Sequence, residues 1–217
     1  MKKRFTSLDR HVTAECAVVE PDRYRQLLSA FSGEIFIPRG AGLSYAPASF
    51  APGSMSIDVS RFDRILDFNL EGRWIDVEAG VSLGKLFEFL TPKGLQLPVL
   101  PGHPQITVGG CIAGNVHGKS QITEGIFGAT VLAMDIVHPD HGTIRTSPIE
   151  NADVFDLTIG GLGLTGLITR ARLSVTALPG NAVLTATLPF TGLLTGFKEL
   201  ASVRERYDMA YSWIDLT

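Results

Sequence analysis

The chain has 217 residues, 45% hydrophobic and 19% charged, with 19 basic and 22 acidic side chains and a formal charge of -3. That length suits one well-buried domain or two subdomains sharing a core. The composition excludes a disordered chain, and the scattered charges leave no basic stripe for nucleic acid and no polybasic patch for a membrane surface. The start, MKKRFTSLDR, has no apolar run behind its positive charges, and no later stretch reaches the length of a membrane span, so a cytoplasmic protein with no integral membrane segment is expected.

Residues 15–19 form a short apolar run. Glu20, Pro21 and Asp22 then start a helix, since proline is at home in a first turn; Tyr24, Leu27, Leu28 and Phe31 follow at helical spacing until Ser32 and Gly33 end it. A strand over 34–38 runs into a glycine loop of Arg39, Gly40, Ala41, Gly42, Leu43, Ser44 and Tyr45, so the opening reads as a small parallel unit. Residues 55–59 and 74–78 alternate as strands, with a turn at 69–72 between apolar segments. Ser82 is placed to cap a helix over 83–90 whose Leu86, Phe87 and Leu90 form the buried face, and Thr91, Pro92, Lys93 and Gly94 stop it.

Residues 101–121 read PGHPQITVGGCIAGNVHGKSQ; Thr107 can cap a short helix beginning at Val108, with Gly109 and Gly110 in its first turn. Strands over 129–137 and 143–146 follow around a turn containing Pro139 and Gly142. A second glycine cluster, 160–166, leads into a strand over 167–175, and Pro179, Gly180 and Asn181 mark a boundary. Beyond it a strand over 182–188, a helix around 197–207 and an alternating run over 210–216 are expected. An apolar strand left at the chain's end without neighbours suits a fragment, or one half of a two-chain assembly.

Gly161, Gly163 and Gly166 match G-x-G-x-x-G, but a dinucleotide fingerprint opens a helix and is followed about 20 residues later by an acidic residue. Here a strand follows and no Asp or Glu lies between Asp156 and Glu199, so NAD is rejected. Ser44 lacks the second glycine of a nucleophile elbow. The 39–45 loop offers successive amides that suit phosphate oxygens, or else is a tight turn. At Thr107 the helix start is expected to leave amides unpaired, with the positive end of the dipole beside them and glycines for close approach; the plainer reading is close helix packing. No metal is expected: His138 and His141 flank a turn without a third nearby ligand, and Cys16 and Cys111 lack CxxC spacing and suit small core positions. His117 and Lys119, separated by Gly118, are the candidate catalytic pair, an imidazole able to exchange protons and an ammonium able to stabilise negative charge.

Taken together, PRGAGLSY, TVGGCIAGNVHGK, EGIFGATV and GGLGLTGLITRARL resemble flavoproteins of the vanillyl-alcohol-oxidase or PCMH type, and the HGK spacing is most similar to that family's bacterial ribose-oxidising branch. The resemblance implies an α+β fold: a PCMH-type FAD-binding domain of two α+β subdomains, residues 1–60 and 61–180, with 181–217 as the start of a truncated or split substrate domain. It implies that the 39–45 loop, Pro101, Thr107, Val108, Gly109, Gly110, Ala113 and Asn115 line the pyrophosphate and flavin. Gly125, Phe127 and Gly128 would hold the flavin side, and Gly163, Gly166 and Ile168 the adenosine half. Members with covalent flavin carry histidine directly after the second loop glycine; Leu43 stands there, so noncovalent FAD is implied. The implied activity is oxidation of a CH-OH group, on a sugar or glycolipid, by hydride transfer to flavin, with His117 and Lys119 near substrate and ring. The missing catalytic groups would come from a C-terminal region or a partner chain; the alternative is a noncatalytic flavin-binding or assembly module.

Overall fold

The computed structural model describes residues 1–29, 35–180, 182–203 and 206–215. Two sheets form its frame. The first is built from β1 (Lys2–Thr6), β2 (Thr13–Val19), β3 (Phe36–Arg39) and β4 (Met55–Asp58) in the order β1-β2-β4-β3. β2 and β3 both run parallel to β4, so the expected parallel unit exists, with β4 inserted between its two strands. β1 pairs antiparallel at the edge, an addition that the charged sequence KKRFT does not announce. The helix α1 (Tyr24–Ser29) crosses from β2 towards β3; the expected helix end at Phe31, Ser32 and Gly33, and the start of the next strand at Glu34, lie outside the described residues.

The second sheet contains β5 (Ile65–Asn69), β6 (Trp74–Glu78), β8 (Val131–His138), β9 (Gly142–Thr146) and β10 (Leu167–Ser174), in the order β5-β6-β10-β8-β9. β10 is its middle strand, antiparallel to both β6 and β8. Between β6 and β8 the chain makes α2 (Leu83–Leu90), the two-residue β7 (Leu95–Gln96), α3 (Val108–Ala113) and the single turn α4 (Gln121–Glu124). α2 begins where Ser82 Oγ accepts from the Lys85 amide, and buries Leu83, Leu86 and Leu90 while Phe87, expected inside, is 54% exposed. Full burial of Leu86 and Leu90 contributes about 1.5–3 kcal/mol each, which anchors the helix on the sheet. α5 (Ala152–Thr158) precedes the second glycine cluster, and β11 (Thr176–Ala177) pairs with β7.

The main core lies between the second sheet and α2, α3 and α5, through residues such as Ile75, Val77, Val108, Ile112, Ile136 and Leu173. A smaller cluster joins the two sheets: Leu27 of α1 and Ile57 of β4 pack with Phe62, Val137 and Leu167. Both cysteines are buried and free, as expected of small core residues. Beyond Gly180 the expectation of two strands fails. Among the described residues neither 182–188 nor 210–215 is in a strand, and the one element there is α6 (Leu193–Ser202), which starts before the expected 197. Neither run pairs with a strand among the described residues, and Val183 and Leu184 are 68% and 96% exposed. Leu216 and Thr217 lie outside the described residues, as does Asn181. No described helix is long and apolar enough to cross a membrane.

Candidate functional site

Three of the glycine-rich segments converge on one cleft of about 200 Å³ between the sheets. Its first wall is the loop after β3, with Arg39, Gly40, Ala41, Gly42, Leu43 and Ser44. Thr107, Gly109, Gly110 and Ala113 of α3 form the floor, and Gly163, Gly166 and Ile168 close the far side. The segments touch directly. A Cβ on Gly40 would stand 2.3 Å from Thr107 Oγ1, and one on Gly163 would stand 3.2 Å from Pro38. The Leu162 amide donates to the Ala113 carbonyl at 3.0 Å. Side chains at Gly40 and Gly163 would therefore push the walls apart.

The routing of backbone amides distinguishes the loop from the helix. At α3 the Val108 and Gly109 amides donate to the Val81 and Ala79 carbonyls, both at 2.8 Å, and the Gly110 amide donates to Thr107 Oγ1 at 3.2 Å. The helix start expected to leave donors free has none to offer, because the Ala79 and Val81 carbonyls just after β6 and the Thr107 hydroxyl satisfy them. The glycines there serve close packing instead: a Cβ on Gly109 would lie 3.0 Å from that of Ala79. In the loop, by contrast, the amides of Gly40, Ala41, Gly42, Leu43 and Ser44 have no protein acceptor among the described residues. Gly40, Gly42 and Leu43 are half-buried, whereas Ala41 and Ser44 are exposed; half-buried donors need a partner, and successive amides around a residue at positive φ form an anion-binding concavity. Gly42 is that residue, at φ 69°.

Arg39 adds charge to the concavity. Its guanidinium lies 3.8 Å from the centroid of the Phe5 ring, and Nη1 donates to Ser49 Oγ at 2.8 Å. Burial pulls its pKa below the usual guanidinium range, against the raising influence of Asp58, yet the side chain stays a cation. It makes no ion pair among the described residues. The Leu8 amide, in the β1–β2 turn, holds the Ser44 carbonyl at 3.2 Å, so the first hairpin fixes both ends of the loop. An unneutralised guanidinium beside open amides, in a cleft otherwise lined by glycines, small residues and apolar side chains such as Ile106 and Ile168, fits the diphosphate of a dinucleotide cofactor.

The two sheets are tied behind the cleft by a buried carboxylate. Glu78 is fully buried at the end of β6; its Oε1 accepts from the Tyr24 hydroxyl at 2.6 Å and from Arg64 Nη2 at 2.7 Å, and its Oε2 from the Arg64 amide at 2.8 Å. Burial works to raise its pKa, but the Arg64 and Tyr24 hydrogen bonds win, and the carboxyl sits below the usual range. Burial and the bond to Glu78 raise the Tyr24 hydroxyl. The next residue, Ala79, lines the cleft and receives the Gly109 amide, so the latch sets the position of the floor.

Not every expected residue reaches the cleft. Tyr45 is 72% exposed and Pro101 lines a separate apolar hollow with Leu83 and Phe87. Val108 and Phe127 are wholly buried in the main core beneath the cleft. Asn115, at φ 41°, accepts the Gly128 amide on Oδ1 at 2.9 Å, which draws 125–128 against α3; Gly125, like Gly128, lies outside the lining. His117 and Lys119 are exposed and lie beyond the lining, which ends on this stretch at Val116. Gly118 packs on the Leu100 backbone, within 2.6 Å of where a Cβ would stand. Lining residues missed in the sequence include Ser49, Val59, Ala79 and Ile106, which carry no motif, and Leu167, which lies within the GGLGLTGLITRARL stretch.

A family model described as FAD binding domain matches residues 18–148, which takes in the end of β2, β3 and β4 of the first sheet, the loop, α3 and β8–β9. The chain is 39% identical over 145 residues to decaprenylphosphoryl-beta-D-ribose oxidase of Mycolicibacterium smegmatis, covering 66% of this chain and 32% of that protein. It is 31% identical over 152 residues to L-gulonolactone oxidase of Mus musculus (70% and 34%), and 29% identical over 153 residues to the mitochondrial D-lactate dehydrogenase [cytochrome] of Arabidopsis thaliana (68% and 27%). The chain thus spans about a third of the length of these curated relatives. With the family match covering more than half of it and an amide-lined anion cradle in the matched region, the chain belongs to the FAD binding domain family of the PCMH type.

Proposed function

We propose that this chain is the FAD-binding part of an oxidoreductase that oxidises a CH-OH group, on a sugar or glycolipid, with FAD held noncovalently. The observation that carries this reading is the run of unpaired amides at 40–44 beside the half-buried Arg39 guanidinium. The named chemistry of the relatives, oxidation of a ribose derivative, a lactone or lactate, supports the reaction class. Residues 1–60 and 61–180 act as the two cofactor-binding subdomains, each with its own sheet, and 181–217 begins the substrate region. A cytoplasmic location and a C-terminal region or partner chain that completes the site are parts of the same reading.

FAD, when bound, supplies the acceptor for the hydride leaving the alcohol carbon. The chain's own residues bind and orient. The loop amides and Arg39 hold the diphosphate, and Gly163, Gly166 and Ile168 line the opposite wall. Lys119 presents an ammonium able to stabilise charge on the alcohol oxygen, and His117 an imidazole able to bond or exchange its proton. Leu43 offers no nucleophile where a covalent flavin would attach. The test is an absorbance spectrum of the FAD-loaded chain before and after acid precipitation. A flavin band released to the supernatant is expected; a band retained in the pellet contradicts noncovalent binding, and a colourless protein contradicts the reading as a whole.

A second reading, a noncatalytic flavin-binding or assembly module, is favoured by the exposed apolar side chains beyond Gly180, among them Leu194 at 79% and Trp213 at 85%. It predicts that adding the rest of the reading frame leaves the flavin unbleached by any sugar alcohol.

A further inference from the structure

Resting on that reading, we infer that Tyr211 is a positioning residue for Lys119, and that 208–211 forms a strap across the outer side of the His117–Lys119 stretch. Three contacts place it there. The Ala210 amide donates to the Lys119 carbonyl at 3.0 Å, Thr123 Oγ1 donates to the Asp208 carbonyl at 3.3 Å, and Lys119 Nζ stands 4.6 Å from the Tyr211 ring centroid. The first two dock the backbone of the strap on both sides of Ser120. The third fixes a side chain that has no other recorded partner among the described residues: Lys119 makes no ion pair and donates no side-chain hydrogen bond there.

A lysine on a four-carbon stem samples many rotamers unless something holds its ammonium. The negative face of an aromatic ring within about 6 Å does so without neutralising the charge, whereas a carboxylate would cancel the field that a developing oxyanion needs. Tyr211 is therefore suited to aim the Lys119 ammonium while leaving it a cation. The ring face makes the contact, so the hydroxyl is dispensable and phenylalanine should replace it. The strap also explains why a stretch with no strand of its own stays on the molecule: it is held by the segment that carries the candidate catalytic pair.

The test uses the FAD-loaded chain, with lysines reductively methylated from carbon-13 formaldehyde and the Lys119 resonance assigned by its loss in Lys119→Arg. In the wild type and in Tyr211→Phe the Lys119 methyl signal should lie upfield of the other lysines through the ring current; in Tyr211→Leu it should move back among them. The visible flavin band should shift in Tyr211→Leu as it does in Lys119→Met, with no further shift in the double variant, because one residue acts through the other. A Lys119 signal unchanged in Tyr211→Leu, with flavin bound normally, overturns the inference alone. Absence of flavin from the wild type at saturating FAD overturns the functional reading beneath it.

Discussion

The 40–44 loop and the first turn of α3 are both glycine-rich, both line the cleft, and both suit a phosphate when judged by composition. They differ in where their amides go. The loop follows the last residue of β3 and leaves the sheet, so nothing among the described residues accepts from it. α3 starts against residues 79–81, whose carbonyls take the donors that a helix start would otherwise expose. Glycine in the loop permits a backbone shape; glycine in the helix permits an approach. A glycine-rich helix start is thus an anion site only when its donors have no closer acceptor.

Substitutions at equivalent-looking glycines should separate the two roles. The largest effect on cofactor binding is expected at Gly42. Valine there must adopt φ 69° with its Cβ placed 2.2 Å from the Arg39 guanidinium, so it both strains the backbone and displaces the charge. Displacing the Arg39 charge and reshaping the cradle should weaken FAD binding by roughly 5–30-fold, equivalent to about 1–2 kcal/mol, measurable by quenching of flavin fluorescence, while backbone strain of about 1–2 kcal/mol lowers the melting temperature by only roughly 2–8 °C. Gly109→Val should do the reverse. Crowding against Ala79 should cost about 1–3 kcal/mol, or roughly 2–12 °C in melting temperature for a chain of this size, with any loss of FAD following from the loss of fold. Equal FAD loss at full stability in Gly109→Val would restore the helix start as the anion site.

The latch at Glu78 offers a third distinction. Its folded pKa is lowered relative to the unfolded chain, so its contribution is present above the ordinary glutamate value of 4.5 and is lost as pH falls through the lower folded value. Glu78→Gln should lower stability at neutral pH by about 1–3 kcal/mol and flatten the acid limb of the stability curve, as read by urea unfolding at several pH values. An acid limb identical to that of the wild type would remove Glu78 from the account. The smallest effect is expected at Gly102, which sits in the same glycine-rich stretch as α3 but faces open space. Gly102→Ala should change stability and FAD affinity by no more than about 0.5 kcal/mol.

What could be read in the sequence follows the same division between local and non-local causes. α2 and α3 were legible because each carries its own stop and start chemistry: Ser82 and Thr107 cap, and apolar residues recur at helical spacing. The loop was legible because a glycine at positive φ with small neighbours marks itself. The pairing of the α3 amides was not, since Ala79 and Val81 accept through backbone carbonyls that every residue possesses. β1 was missed because an edge strand of charged residues with one apolar anchor, Phe5, shows little alternation. α5 was missed because its start is Asn151 in a left-handed conformation with no side-chain cap. The runs at 182–188 and 210–216 look like strands and, as far as described, are not, because alternation specifies a face and only a neighbouring strand makes the ladder.

Amide hydrogen exchange of the chain, resolved by residue and compared without and with FAD, distinguishes the loop from the helix start as the anion site. The amides of Gly40, Ala41, Gly42, Leu43 and Ser44 should exchange freely alone and become protected when FAD is added, while those of Val108, Gly109 and Gly110 should be protected in both states. Protection gained at Val108, Gly109 and Gly110, with the loop unchanged, would contradict the loop as that site.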